Sequence, residues 1–164
     1  MEIRTLNSKI NIISKFHKIE GYAMTFNKLN DLGEFSEIIN PNSINVGVLQ
    51  KSDIIVLYNN DKNQVLARAT DGKGTLSFII DNLGLWYSFF CPNTSVGNDL
   101  LFHILNENIH HILIEFSVAK NGEKWEKQNG KLIRTITKFE KINIISPCFY
   151  PVNDITIVQK KLIN

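Results

Sequence analysis

The chain has 164 residues, of which 43% are hydrophobic and 21% are charged, and this size and composition predict one globular domain spanning residues 1–164. Its 18 basic and 16 acidic residues are spread along the sequence and leave a formal net charge of +2. We expect no nucleic acid partner, because binding a phosphate backbone requires a concentrated basic surface. The longest apolar runs are far below the roughly 20 residues that span a bilayer, and the first residues lack the pattern of a signal peptide. We therefore expect no membrane partner and a cytosolic location.

Short β-prone runs dominate the first half of the chain. Their apolar residues predict strands at 10–13, 19–24, 54–58 and 65–68. Phe16-His17-Lys18 predicts a hairpin turn between the first two strands. The turn at 40–43 predicts a short helix capped by Asn42 or Ser43, since either side chain can accept a hydrogen bond from the helix backbone.

The second half of the chain contains the clearest turn and helix patterns. Asp71-Gly72-Lys73-Gly74 predicts a turn, and a hairpin of strands 75–80 and 83–90 follows it. Apolar residues at helical spacing predict the main helix at 96–106. Further strands are predicted at 109–118, 131–137 and 139–145, with an exposed hairpin or flap at 121–127. So many short strands with two helices predict a mainly β fold with peripheral helices (α+β), built as a closed or nearly closed β-barrel.

The cysteines and two of the histidines form no pattern that indicates chemistry. Cys91 and Cys148 fit no metal-ligand spacing, and each adjoins a proline, so buried and inert thiols are predicted. His17 and His103 have no acid or ligand at a spacing that would recruit them to a metal. We therefore expect no metal and no cofactor.

Several motifs resemble, in the same order, those of the prohead (procapsid) maturation serine proteases of tailed phages, which are relatives of the herpesvirus assemblins. The similar segments are Ile19-Glu20-Gly21-Tyr22-Ala23, Phe35-Ser36-Glu37-Ile38-Ile39-Asn40-Pro41, Val65-Leu66-Ala67-Arg68, Pro92 to Leu100, and Phe139-Glu140 with Pro147. Together they span about residues 10–151. The resemblance implies an assemblin-type fold, a serine endopeptidase ancestry and possible homodimer formation.

The same resemblance places the family's catalytic residues on side chains that cannot perform their roles. The run 54–61 is similar to a strand that ends in an aromatic-Asn-His-Asp turn, and its histidine falls on Asn60. A carboxamide has no basic form at physiological pH and cannot take a proton from a serine. The family's Met-Ser-Phe-Gly-Phe motif falls on 112–116, so that its serine becomes Leu113 and its glycine becomes Glu115. The acidic position, at Glu140, is the only one of the three retained.

The same strand offers one alternative set of residues for a relocated active site. Ser117 lies four positions after Leu113 and therefore on the same face of the strand, and His110 and His111 lie nearby in sequence. Four residues along a strand displace Ser117 from Leu113 by about 13 Å, however, and successive strand residues point to opposite faces. Neither histidine is therefore expected to reach Ser117.

These observations leave three hypotheses. In the first, the chain is a noncatalytic pseudoprotease that binds phage capsid or scaffold protein, in the cytoplasm of a bacterial host or inside the procapsid. In the second, it is an active prohead serine endopeptidase that cleaves those proteins with displaced catalytic residues. In the third, it is an unrelated β-rich binding module. The first is favoured because function must be argued from the site and not from the fold.

Overall fold

The computed structural model describes residues 1–7, 10–13 and 17–151, which contain fourteen β-strands, two α-helices and one 3-10 turn. The strands are β1 Glu2–Asn7, β2 Asn11–Ile13, β3 Lys18–Thr25, β4 Asn30–Asp31, β5 Phe35–Ile39, β6 Asp53–Leu57, β7 Val65–Thr70, β8 Lys73–Gly74, β9 Leu76–Ile80, β10 Gly84–Phe90, β11 His111–Val118, β12 Glu123–Gln128, β13 Lys131–Ile136 and β14 Phe139–Cys148. The helices are α1 Val46–Lys51 and α2 Ser95–Leu105, and Pro41–Ser43 form the 3-10 turn. No helix in these ranges has the length and apolar character needed to cross a bilayer.

The described strands pair into three sheets. The central sheet has the order β1-β11-β14-β6-β7-β8, the second sheet β2-β3-β10-β9, and the flap sheet β12-β13-β5-β4. Two pairings, β14 with β6 and β13 with β5, are parallel, and the remaining ladders are antiparallel. The parallel pairing of β14 with β6 matters for the site, because it places the two strand ends side by side.

The mainly β prediction is confirmed, but the prediction of a closed or nearly closed β-barrel is wrong, because all three sheets are open. The chain changes sheets at Thr75, the single residue between β8 and β9. β8 pairs with β7 in the central sheet, whereas β9 pairs with β10 in the second sheet. A barrel requires one continuous ladder of hydrogen bonds, and no ladder joins the central sheet to the second sheet in the described residues.

The predicted main helix and main hairpin are confirmed. The helix is α2, and the Thr94 hydroxyl caps it by accepting a hydrogen bond from the Gly97 N–H at 3.2 Å. The hairpin is β9 with β10, and the Asp81 carboxylate closes its turn by accepting bonds from the N–H groups of Leu83 and Gly84 at 2.8 and 2.9 Å. Both elements are set by side chains close in sequence.

The first helix begins later than predicted. Residues 41–43 form a separate 3-10 turn capped by Asn40, and Asn45 caps α1 by accepting a bond from the Val48 N–H at 3.1 Å. The prediction of Asn42 or Ser43 as the cap is therefore wrong, because two other asparagines divide the segment into two turns. The predicted turn at 16–18 lies partly outside the described residues, which resume at His17.

The largest hydrophobic cluster contains the inward side chains of the central and second sheets, with Leu100 and Ile104 of α2 packed on it. Along β11, Ile112 and Ile114 belong to this core, whereas Leu113 points to the outer face of the sheet, since side chains alternate along a strand. A satellite cluster covers that outer face. It consists of Leu57, Leu113, Ile144 and Cys148, with Ile3 and Ile55 packed against it.

A buried charge network ties the central sheet to the flap sheet. Arg4 of β1 donates from Nε and Nη2 to the two carboxylate oxygens of Glu37 of β5, both at 2.8 Å. Arg134 of β13 is fully buried and donates to Glu2, Glu37 and Glu123. Such a network holds the sheets in place because a buried charge that loses its partners is costly.

Candidate active site

The turn after β6 holds Asn60, the position that the resemblance gives to the catalytic base. Asn59 and Asn60 adopt φ angles of 47° and 58°, in the left-handed region where asparagine and histidine are both enriched. The Asp61 N–H donates to the Tyr58 carbonyl at 3.0 Å, and the Asp61 carboxylate accepts a bond from the Gln64 side chain at 2.9 Å. The backbone of this turn therefore suits either asparagine or histidine at position 60. The Asn60 residue is exposed to solvent.

A serine that the sequence did not single out holds this turn against β14. The Ser146 hydroxyl accepts a hydrogen bond from the Asn60 N–H at 2.7 Å and donates to the Leu57 carbonyl at 2.8 Å. Ser146 is fully buried. A lone serine before Pro147 carries no sequence signature, so this contact between residues 86 positions apart was missed.

The position that the resemblance gives to the nucleophile lies beside the same serine. Leu113 of β11 is in register with Ser146 of β14, and its side chain is fully buried in the satellite cluster. Asn60 and Leu113 therefore share Ser146 as a neighbour, the first through a hydrogen bond and the second through strand pairing. Asn60 supplies an amide, Leu113 supplies an aliphatic side chain, and Ser146 supplies a hydroxyl that already forms hydrogen bonds with the backbone. None of them pairs a base with a nucleophile.

Glu140 lies away from this pair. It is exposed near the start of β14, whereas Ser146 lies six residues further along the strand. At strand spacing this is roughly 20 Å, too far for a carboxylate to orient a group at the Asn60 turn.

Ser117, His110 and His111 do not form a site either. The Ser117 hydroxyl donates to the Met1 sulfur at 3.6 Å. The rings of His110 and His111 contact each other, with centroids 4.4 Å apart, so they do not point to opposite faces as predicted. His110 precedes β11, and the strand alternation rule does not apply to it. Burial and then the charge of His110 lower the pKa of His111.

The cysteines are free and buried, as predicted from their surroundings. Burial raises the pKa of Cys91 and that of Cys148 to about 11, so both remain protonated thiols at neutral pH. The Cys148 thiol donates to the Tyr150 carbonyl at 3.3 Å. Across residues 1–7, 10–13 and 17–151, no group of three or more His, Cys, Asp or Glu side chains is arranged to hold a metal ion.

Three aromatic rings pack together beside the Asn60 turn. The His103 ring stacks on that of Tyr58 at 6.5 Å and meets that of Phe149 edge-on at 4.9 Å. Burial, and to a smaller extent the charge of Asp99, raises the pKa of Tyr58. Tyr58 therefore stays a neutral phenol, and the cluster fixes both the turn and the segment after β14 by packing.

Removing the Ser146 hydroxyl is expected to loosen the turn. Ser146→Ala removes the hydrogen bonds to the Asn60 N–H and the Leu57 carbonyl. Because the Asn60 turn is exposed and water can replace the partner there, we expect the free energy of unfolding to fall by roughly 1 kcal/mol, the net contribution of a typical hydrogen bond. Urea denaturation measures the loss. The matched control is Ser77→Ala, because Ser77 is an exposed serine on β9; its free energy of unfolding is expected to change by less than about 0.5 kcal/mol. Equal effects for the two variants would show that the Ser146 contact does not hold the turn.

Comparison with known proteins agrees with the sequence motifs. Curated proteins and solved structures give no significant match. The family model of the caudovirus prohead serine proteases matches residues 4–164, and this chain therefore belongs to that family.

Proposed function

We propose that this chain is a noncatalytic prohead protease relative that acts in phage capsid maturation by binding capsid or scaffold protein. Family membership indicates the role in capsid maturation. The noncatalytic character rests on the residues at the family's catalytic positions. The site of action is then the host cytoplasm or the interior of the procapsid, where the capsid and scaffold proteins assemble.

The burial of Leu113 is the observation that carries the proposal. Its side chain is fully buried among Leu57, Ile144 and Cys148, so an aliphatic group fills the place from which a nucleophile would have to attack. The neighbouring Asn60 offers a carboxamide, which cannot remove a proton at physiological pH. Replacing the residues of a serine protease triad lowers turnover by about 10⁶.

The alternative of an active endopeptidase with displaced residues has less support. Ser117 and His111 lie at opposite ends of β11, which separates them by roughly 20 Å at strand spacing. Ser146 is closer to the family site, but it is buried and both of its hydrogen bonds maintain the fold. Neither serine forms a hydrogen bond with a histidine side chain in the described part of the chain.

Sedimentation velocity with the purified chain tests the proposal. Mixed with the major capsid protein or the scaffold protein of the same phage, the chain is expected to form a complex in which both proteins keep their full length. Serum albumin serves as a partner that should not bind. Sedimentation of the chain as a separate species in both mixtures would contradict the proposal.

A further inference from the structure

A groove crosses the outer face of the central sheet beside the Asn60 turn. Its floor is apolar and consists of Ile55 and Leu57 of β6 and Ile144 of β14, and Val65 of β7 and Lys62 stand at its edge. Its volume is about 270 Å³. Clefts for drug-sized molecules measure about 300–1,000 Å³, so this groove suits a short piece of polypeptide with one or two side chains inserted.

The apolar wall of the groove is accessible. Val65 is 52% exposed, although it is an aliphatic residue on a strand. The floor residue Ile144 belongs to the satellite cluster that also contains Leu113. An aliphatic side chain of a partner would therefore extend a cluster that is already formed, and removing apolar surface from water would stabilise the complex.

The groove has one uncompensated charge. The Asp53 carboxylate at its end binds the Arg68 guanidinium through Nε at 2.7 Å and the Thr70 hydroxyl at 3.0 Å. These contacts, with the Arg68 hydrogen bond first, lower the pKa of Asp53 and keep it ionised and paired. Lys62 is exposed and forms an ion pair with no carboxylate in the described part of the chain. Of the two charged residues that line the groove, Asp53 is paired and Lys62 is not, so the unpaired charge of the lining is positive.

We propose that this groove binds a segment of the capsid or scaffold partner that carries an aliphatic residue followed by an acidic one. The aliphatic side chain packs on Ile55, Leu57 and Ile144, and the acidic side chain pairs with Lys62. The inference rests on the proposed function for the identity of the partner, but the groove and its charge are properties of this chain alone. It gives a domain without catalytic groups a way to recognise a peptide.

Two peptides of opposite charge test the recognition directly. The probes are N-acetylated, C-terminally amidated Ala-Leu-Glu-Leu-Ala and Ala-Leu-Lys-Leu-Ala, added to the full ¹⁵N-labelled chain and followed by amide chemical shifts. The glutamate peptide is expected to shift the signals of Lys62, Val65 and Ile144 and to bind about two- to fivefold more tightly than the lysine peptide, as a solvent-exposed ion pair allows. In Lys62→Glu the preference should reverse.

A second variant tests the apolar contact. Val65→Asp is expected to lower the affinity for the glutamate peptide about tenfold. It replaces apolar contact surface and adds a negative charge that repels the glutamate of the peptide. The matched control is Val46→Asp, at a valine of α1 that is 62% exposed and does not line this groove. Amide shifts confined to other surfaces, or an unchanged charge preference in Lys62→Glu, would overturn the inference.

The same variants separate this inference from the proposed function. If the unmodified chain binds capsid or scaffold protein and both Lys62→Glu and Val65→Asp bind it equally well, the groove inference fails and the proposed function stands. If the unmodified chain binds neither protein but shows the charge preference for the peptides, the groove inference stands and the proposed partner is wrong.

Discussion

Replacement of Arg134 by leucine is expected to lower the free energy of unfolding by about 3–5 kcal/mol, the cost of breaking a buried ion network by removing one partner. Arg134 is fully buried, and its guanidinium donates to Glu2 at 2.7 Å, to Glu37 at 2.9 Å and to Glu123 at 2.7 Å. Burial alone would lower the pKa of Arg134, but its hydrogen bond to Glu2 and the charges of all three glutamates together raise it. The leucine variant leaves those carboxylates with Arg4 as the remaining buried cation of the described network.

Urea denaturation of Arg134→Leu, with circular dichroism as the probe, measures this loss. The matched control is Arg68→Leu, which removes an arginine from the exposed pair with Asp53. That change is expected to cost less than about 1 kcal/mol, because exposed ion pairs contribute little. If Arg134→Leu does not fold, Arg134→Lys keeps the charge and should show an intermediate loss. A leucine variant as stable as the unmodified chain would show that the network does not hold the flap sheet.

Gly97→Ala is expected to have the second largest effect on stability, a loss of about 3 kcal/mol, at the upper end of what overpacking costs. A Cβ atom at this position would lie 1.9 Å from the Pro92 carbonyl oxygen and 3.3 Å from the Cys91 sulfur. The oxygen belongs to the backbone and cannot move aside as a flexible side chain would. The helix α2 would therefore shift away from the segment that leads into it.

Comparing the thermal denaturation of Gly97→Ala with that of Asn98→Ala separates the steric effect of the added Cβ atom from the effect of helix propensity. Asn98 is exposed on the same turn of α2, and alanine favours a helix more than either residue does. Asn98→Ala should therefore leave the melting temperature unchanged or raise it, whereas Gly97→Ala should lower it. A melting temperature for Gly97→Ala at or above that of the unmodified chain would contradict the close approach.

Local signals made parts of the fold predictable. The main helix followed from apolar residues at helical spacing after Thr94, and the hairpin followed from the turn at Asp81, because both depend on contacts within a few residues. The strand β1 was missed for a physical reason. Two of its inward positions are Glu2 and Arg4, which are buried only because they pair within the ion network, so the sequence pattern looked polar. Sheet closure was mispredicted because it depends on pairings between distant residues.

The candidate site was predictable only in part. The motifs assigned the family's base and nucleophile positions to Asn60 and Leu113, an assignment that stays a prediction, and both residues neighbour Ser146 in the structure. No periodicity or spacing could identify Ser146, because its role arises from the parallel pairing of β14 with β6. The groove could not be predicted from Lys62 and Val65 either. In the sequence they are an ordinary loop lysine and strand valine, and only the fold places Ile144 beside them.

The most direct test of the noncatalytic assignment is an intact-mass time course of the chain mixed with the capsid and scaffold proteins of its phage. Because Asn60 supplies no base and Leu113 no nucleophile, no cleavage products are expected to appear over days. Time-dependent cleavage of the partner proteins or of the chain itself, abolished by Ser117→Ala or by Ser146→Ala in a chain that remains folded, would show that catalysis persists and contradict the assignment.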